Sequence, residues 1–304
     1  MSENNFEYLV SVLIITYQQE DYIVETLESV ISQDCARMQI VVSDDASSDQ
    51  TINIVKAYAE RYPELVFFVE SEKNTGITDN CNRGLMQCRG KYLSVLGGDD
   101  IMLSDKLKIQ VSYMEAHPDC AVSYHDMEVF ESESGEVLNL FSTTSKPRIG
   151  GIREAIKFGT VNCASSTMYR MSAVPSQGFK AQLPVVSDWM FTIESLEGGG
   201  GLQYIDAILG RYRRHKKNVS HAESPFRLQG QVDLLTTCAI CMAKYPRYLG
   251  DSFYRLAAIF RESRNLAGGI NYEGNLIASL KLRISVKSLV GLFVFYISLR
   301  SVRL

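Results

Sequence analysis

The 304-residue chain is 46% hydrophobic and 22% charged, which excludes a disordered protein and provides for a sizeable core. A formal net charge of −4 excludes a general basic field for nucleic acid. Seven cysteines, odd in number and scattered, read as reduced thiols of a cytosolic protein rather than a disulfide framework.

The first elements follow one another closely. Val10 to Tyr17 is β-branched and continuously apolar, as a buried parallel strand requires. Asp21 to Ile31 has helical apolar spacing. Gln39 to Ser43 is a second strand ending in Asp44-Asp45, and Ser48 or Asp49 can cap the helix after it. Leu65 to Val69 is a third strand, Gly76 to Cys88 a third helix, and Tyr92 to Leu96 a fourth strand that runs into Gly97-Gly98-Asp99-Asp100. This β-α alternation predicts an α/β fold, a mostly parallel sheet with helices on both faces.

Beyond Leu103 the pattern loosens. Ser104 can cap a helix to His117, Cys120 to Phe130 is a long strand, and Glu131 to Gly151 is a polar loop or hairpin. A helix over Ile152 to Phe158, a strand over Ser165 to Arg170, a helix over Val186 to Leu196 and a strand over Leu202 to Tyr212 follow. From Ser224 onward the sequence is mostly helical. Cys238 and Cys241 form a lone CxxC that reads as two small side chains on a helix.

In parallel sheets ligands bind beyond the carboxyl ends of the strands. Polar residues fall there: Thr16 and Gln18, then Asp44 and Asp45, then Asp99 and Asp100. Adjacent carboxylates after two glycines suit a hard divalent cation shared with phosphate oxygens. An acidic turn capping the next helix is the bland alternative.

Five ordered segments make the pattern specific. VSVLIITYQQEDYIVETLESVISQ, IVVSDDASSDQT, NTGITDNCNRGLMQCRGKYLSVLGGDD, SDWMF and YRRHKKNVS together resemble glycosyltransferase family 2, which has the GT-A fold. The resemblance covers roughly residues 9 to 221 and implies a donor that is a nucleoside-diphosphate sugar, with Mn2+ or Mg2+ as cofactor. Thr16 and Tyr17 would line the base and ribose pocket. Asp44 would accept from the base edge, and Asp45 would support that turn. Asn82 would sit near the sugar or diphosphate. Asp99 would bind the metal bridging the phosphates, with Asp100 beside it in the donor site. Asp188 would be the general base, and His215 would reach the diphosphate or the metal. Gly97 stands where the family's acidic motif carries its first acid, Cys81 replaces an Arg, and Ser187 replaces a Glu. A nucleotide-sugar-binding protein without catalysis is the alternative that Gly97 leaves open. A nucleotidyltransferase needs a basic Gly-rich loop where Thr16-Tyr17-Gln18-Gln19 stands.

Residues 1–103 are thus expected to form the donor half of the domain, 104–222 the acceptor half, and 223–304 a helical C-terminal region. Five basic residues and no acid follow Glu273, around the apolar run Ser288 to Leu299. That run is shorter than the ~20 residues of a membrane span. It suits either an interfacial helix on an anionic inner leaflet or a helix packed on the domain or on a second copy in a homo-oligomer. No signal peptide is read in the polar start, Met1 to Tyr8. The expected product is a bacterial surface polysaccharide, built by a cytoplasmic enzyme at the inner membrane face on a saccharide or lipid-linked acceptor.

Overall fold

The computed structural model describes residues 6–159, 163–216, 218 and 224–266. The basic, apolar tail lies outside them. Strands β1 (Tyr8–Thr16), β2 (Met38–Asp44), β3 (Val66–Glu70) and β4 (Gly90–Gly97) alternate with helices α1 (Ile23–Ile31), α2 (Thr51–Arg61) and α3 (Ile77–Leu85). Then come β5 (Ile101–Met102), α4 (Lys106–Ala116), β6 (Cys120–Glu131), β7 (Val137–Leu140), α5 (Phe141–Thr144) and α6 (Ile152–Phe158). The chain closes on β8 (Met168–Arg170), α7 (Ser187–Ser195), β9 (Gly201–Arg214), α8 (Arg227–Lys244) and α9 (Leu249–Leu266).

One nine-stranded sheet runs β3-β2-β1-β4-β8-β6-β9-β5, with β7 paired to β6. The pairings of β1 with β2 and β4, of β2 with β3, and of β6 with β9 are parallel. β8 is antiparallel to both β4 and β6, so β6 and β9 point the same way as the first four strands. The expected mostly parallel α/β sheet is therefore present. The short strands β5, β7 and β8 run against it.

Pleating sends alternate residues to opposite faces, and each face has its own core. Val10, Val12 and Ile14 of β1 pack with Ile23, Leu27, Val55, Leu107 and Val111 from α1, α2 and α4. Leu13 packs on the other side with Cys81, Ile156, Trp189 and Cys238 from α3, α6, α7 and α8. The buried Cys238 and Cys241 are core residues, as the bland reading of the CxxC had it. Gly84 lets α3 lie close to the sheet: a Cβ there would stand 2.4 Å from Leu13 Cδ1.

Two local readings shift. Ser165 lies within a 3-10 turn (Ala164–Ser166) rather than in the strand, and β8 is only three residues long. The helix expected to be capped by Ser104 starts at Lys106. Asp105 stands at its N-cap with φ 62° and makes no side-chain cap.

Lys106 is wholly buried behind β4, where Nζ donates to Ser94 Oγ (2.9 Å) and Gln110 Oε1 (2.8 Å). Burial lowers its amine to about 7. Between pH 7 and 10.5 the unfolded chain then holds a proton that the folded chain has released, so stability from this group rises with pH across that window. Relative to Lys106→Met, the wild type should gain on the order of 2 kcal/mol between pH 7 and 9, read from urea midpoints. A pH-independent difference would contradict this account of the buried amine.

Candidate active site

The carboxyl ends of β1, β2 and β4 meet at one edge, and hydrogen bonds lock their loops together. Asp44 accepts from Ser47 N (2.8 Å) and Ser47 Oγ (2.6 Å), and Ser47 Oγ in turn accepts from Gln18 N (2.7 Å). Asp44 is 0% exposed, and burial raises its carboxyl above the usual range. The acceptor expected for a base edge is therefore turned inward and joins the β1 and β2 loops. Asp45 does support the turn: it accepts from Thr75 N, Thr75 Oγ1 and Gly76 N and pairs with Arg83 at 3.3 Å. It thereby fixes the start of α3. Thr16 is buried, with Oγ1 lacking a partner, whereas Tyr17 is exposed at the rim.

Asn82 departs from expectation. Its Nδ2 donates to Phe179 O (2.8 Å) and its Oδ1 accepts from Phe179 N (2.7 Å). Both ends of the amide are spent on tying the segment before α7 to α3, so Asn82 is a tether and not an open donor contact.

The acidic pair at the end of β4 divides its labour. Asp100 is buried; Ser165 Oγ donates to its Oδ2 (2.5 Å) and Arg213 N to its Oδ1 (3.0 Å). Burial first, and the charge of Asp99 second, push its carboxyl well above the ordinary value. Asp99 faces the other way, with Oδ2 2.9 Å from His215 Nε2 and 3.2 Å from Asn218 Nδ2. Arg213 Nε donates to Asp99 O (2.7 Å), and the His215 ring stacks on Tyr22 at 4.6 Å. Asp99 and His215, both expected at the metal, are thus in contact. Arg213, Asn218, Ser165 and Tyr22 complete the cluster without having been assigned from sequence. Arg213 and Asn218 belong to the segment YRRHKKNVS and Tyr22 to the opening segment, both already noted; Ser165 carried no signal of its own.

Gly97 fits this arrangement. A Cβ there would stand 2.8 Å from Asp99 Oδ1 and 3.4 Å from Asp100 Oδ2. The bare position leaves Asp99 room, and Ser165 Oγ accepts from Gly97 N beside it (3.0 Å).

No group of three or more His, Cys, Asp or Glu stands together among the described residues. The Asp99–His215 pair nevertheless fits a divalent cation that takes its other ligands from a diphosphate. Adjacent ligands about 2.1 Å from an octahedral ion lie roughly 3 Å apart, close to the spacing of these two atoms.

Asp188 sits in the first turn of α7, partly exposed, with Oδ1 accepting from Trp189 N (2.9 Å). Dehydration by its surroundings raises its carboxyl. Burial pushes the Cys163 thiol up, and the charges of Asp100, Asp188 and Asp99 add to that. Trp189 is a core anchor: it is buried and its Nε1 donates to Ala155 O (2.8 Å). His125 is likewise buried, and burial lowers its ring to about 3.

A mostly parallel sheet with locked strand-end loops and an acid–imidazole pair at the end of β4 is the arrangement to be compared with known α/β domains. The profile described as Glycosyl transferase family 2 matches residues 11–175, more than half of the chain. The chain belongs to glycosyltransferase family 2. It is 34% identical over 219 residues to the putative teichuronic acid biosynthesis glycosyltransferase TuaG of Bacillus subtilis, covering 71% of this chain and 83% of that one. Mycobacterial relatives, uncharacterised and 29% identical, are matched over 61% of their length and 70% of this chain. The fold is that of S. aureus TarS 1-349 in complex with UDP-GlcNAc, at TM-score 0.64 and 18% identity over 92% of this chain and 77% of that one. It is also that of the mannosyltransferase PcManGT of Pyrobaculum calidifontis in complex with GDP-Man and Mn2+, at 0.60 and 15% over 98% and 89%. Both likenesses place the domain in the GT-A fold.

The two adjacent acids should respond oppositely to truncation. Asp99→Ala should leave the melting temperature nearly unchanged and weaken Mn2+-dependent UDP binding at least about tenfold by calorimetry. Asp100→Ala should instead destabilise the fold by about 1–3 kcal/mol, because it strands the Arg213 N–H and Ser165 hydroxyl. Equal effects of the two substitutions on binding and stability would contradict the division.

Proposed function

We propose that the chain is an inverting glycosyltransferase that moves a sugar from a nucleoside diphosphate to a hydroxyl of a saccharide or lipid-linked acceptor. The observation that carries the reading is the meeting of Asp99, His215 and Asn218 at the end of β4. Asp99 and His215 would hold Mn2+ or Mg2+, whose chemistry is to neutralise charge developing on the leaving diphosphate. Thr16 and Tyr17 border the base and ribose, while Asp44 and Asp45 keep the loops beneath them rigid. Arg213 fixes the backbone of Asp99 and is itself paired with Glu25.

Asp188 acts as the general base. Its carboxylate removes the proton from the acceptor hydroxyl as the anomeric carbon becomes oxocarbenium-like. A single base with no enzymic nucleophile gives inversion. A raised carboxyl suits this role, since a base works best with a pKa nearer the operating pH.

The relatives support a surface-polysaccharide product, TuaG being named for teichuronic acid biosynthesis. The basic tail supports a place at the inner face of the membrane, each basic residue near an anionic leaflet contributing about 1 kcal/mol. Among the described residues no helix is long and apolar enough to cross a membrane. A chain ending at Gly274 should lose binding to anionic vesicles at low salt; equal binding by the truncated and full chains would contradict the membrane reading.

Asp188→Asn should keep Mn2+–UDP affinity within about twofold and lower kcat by at least about 100-fold. Wild-type kcat should fall toward acid pH with a midpoint above the ordinary carboxylate value, since the base must be ionised to accept the proton. Full turnover by the Asn variant at saturating donor would remove Asp188 from the chemistry.

A further inference from the structure

We propose that Asp233, on the C-terminal helix α8, is the positioning residue that sets the orientation of Asp188. The proposal rests on the reading of Asp188 as base and assigns the C-terminal helical region a part in catalysis.

The base stands near the N-terminus of α7, and that helix has no cap of its own. Val186 occupies the N-cap with φ −116° and offers no side-chain hydrogen bond. Helix starts leave N–H groups without partners, and these are normally met by a capping side chain. What is held from outside is the pair of residues leading into the helix, Val185 and Val186, 48 and 47 residues away from their partner. Asp233 Oδ2 accepts from Val185 N (2.7 Å) and Val186 N (2.9 Å). Its other oxygen accepts from Gln229 Nε2 (2.8 Å), one turn back on α8. The carboxylate is 0% exposed, and its partners among the described residues are N–H donors and not a cation.

A buried carboxylate without a cation is costly, and a helix N-terminus with several N–H donors is the environment that offsets the cost. α8 packs on this turn at Gly230, where a Cβ would meet Val186 Cγ2 at an ordinary contact distance of 3.6 Å. The far end of α7 is held by the same helix, Lys244 Nζ donating to Glu194 Oε1 (2.7 Å). On the opposite side Thr78 Oγ1 of α3 donates to Leu183 O (2.7 Å) and accepts from Ser187 Oγ (2.8 Å). The residues flanking Asp188 are therefore clamped, and Asp233 supplies the clamp at the base's own turn. Misplacing a reacting group by about 1 Å can cost on the order of 100-fold in rate. The hydrogen bonds of Asp233 go to Val185, Val186 and Gln229 and not to the strand ends of β1, β2 and β4, so donor binding should not register its loss.

The test uses the full chain with Mn2+ and a panel of UDP- and GDP-sugars, water serving as acceptor and released nucleoside diphosphate being detected. Asp233→Ala should lower kcat about 10- to 100-fold, leaving donor KM and Mn2+–UDP affinity within about twofold. Amide hydrogen exchange should quicken over residues 185–189. Asp233→Asn keeps an oxygen for both N–H groups, so it should restore kcat to within about threefold of wild type. If the Ala variant does not fold, Gln229→Ala, which frees the carboxylate from its brace, should show the same split at smaller amplitude. Unchanged kcat in the Ala or brace variant, or an equal loss of kcat and UDP binding, overturns the proposal. Asp188→Asn in the same assay separates the two claims. If that variant turns over normally, the base reading falls and this inference with it. If it is inactive while Asp233→Ala is fully active, only the positioning role falls.

Discussion

The buried carboxylate of Asp100 is the contact on which the site depends. It joins the end of β4 to β9 through Arg213 N and to the turn before β8 through Ser165. Thr26 of α1 adds its hydroxyl to the carbonyls of Gly98 and Asp100. Three elements distant in sequence are thereby fixed around one glycine-rich turn. A carboxylate is withdrawn from water only where fixed donors replace that water. The outcome is that Asp99, one residue earlier, is directed at His215.

The same economy governs the β2 end, where Asp44 and Asp45 both serve the scaffold. Asp44 joins the loops after β1 and β2, and Asp45 fixes the start of α3. Adjacent acids at a strand end thus have two uses in this molecule. Only Asp99 is left with an oxygen directed at an imidazole, which is why the metal reading rests on it and not on the number of acids.

The parallel half of the fold was legible because strands buried on both faces read as near-continuous apolar runs, as Val12 to Ile14 and Ile40 to Val42 do. Ile152 to Phe158 was equally plain from its spacing. Ser165 was misplaced because a short 3-10 turn leaves no periodicity. The site residues were legible as far as ordered segments carried them, and Asp99, Asp188 and His215 came from those. Whether a polar side chain also has backbone partners is not written in its neighbours, so the bonds of Asp44 to Ser47 and of Asn82 to Phe179 could not be read from the sequence. Asp233 was invisible for a related reason: its partners are backbone N–H groups of two valines, and backbone contacts leave no residue-type signature. The alternation of Gln229 and Asp233 on α8 reads as an ordinary polar pair on a helix.

The central claim is that Asp99 and His215 hold one cation together with the donor's diphosphate. Pulsed electron paramagnetic resonance of Mn2+ bound in the presence of UDP tests it most directly, using chain labelled with 15N-histidine. Coupling of the ion to one labelled imidazole nitrogen, lost in His215→Ala, is the predicted result. Tight, UDP-dependent Mn2+ binding with no histidine coupling, or coupling that survives His215→Ala, would contradict it.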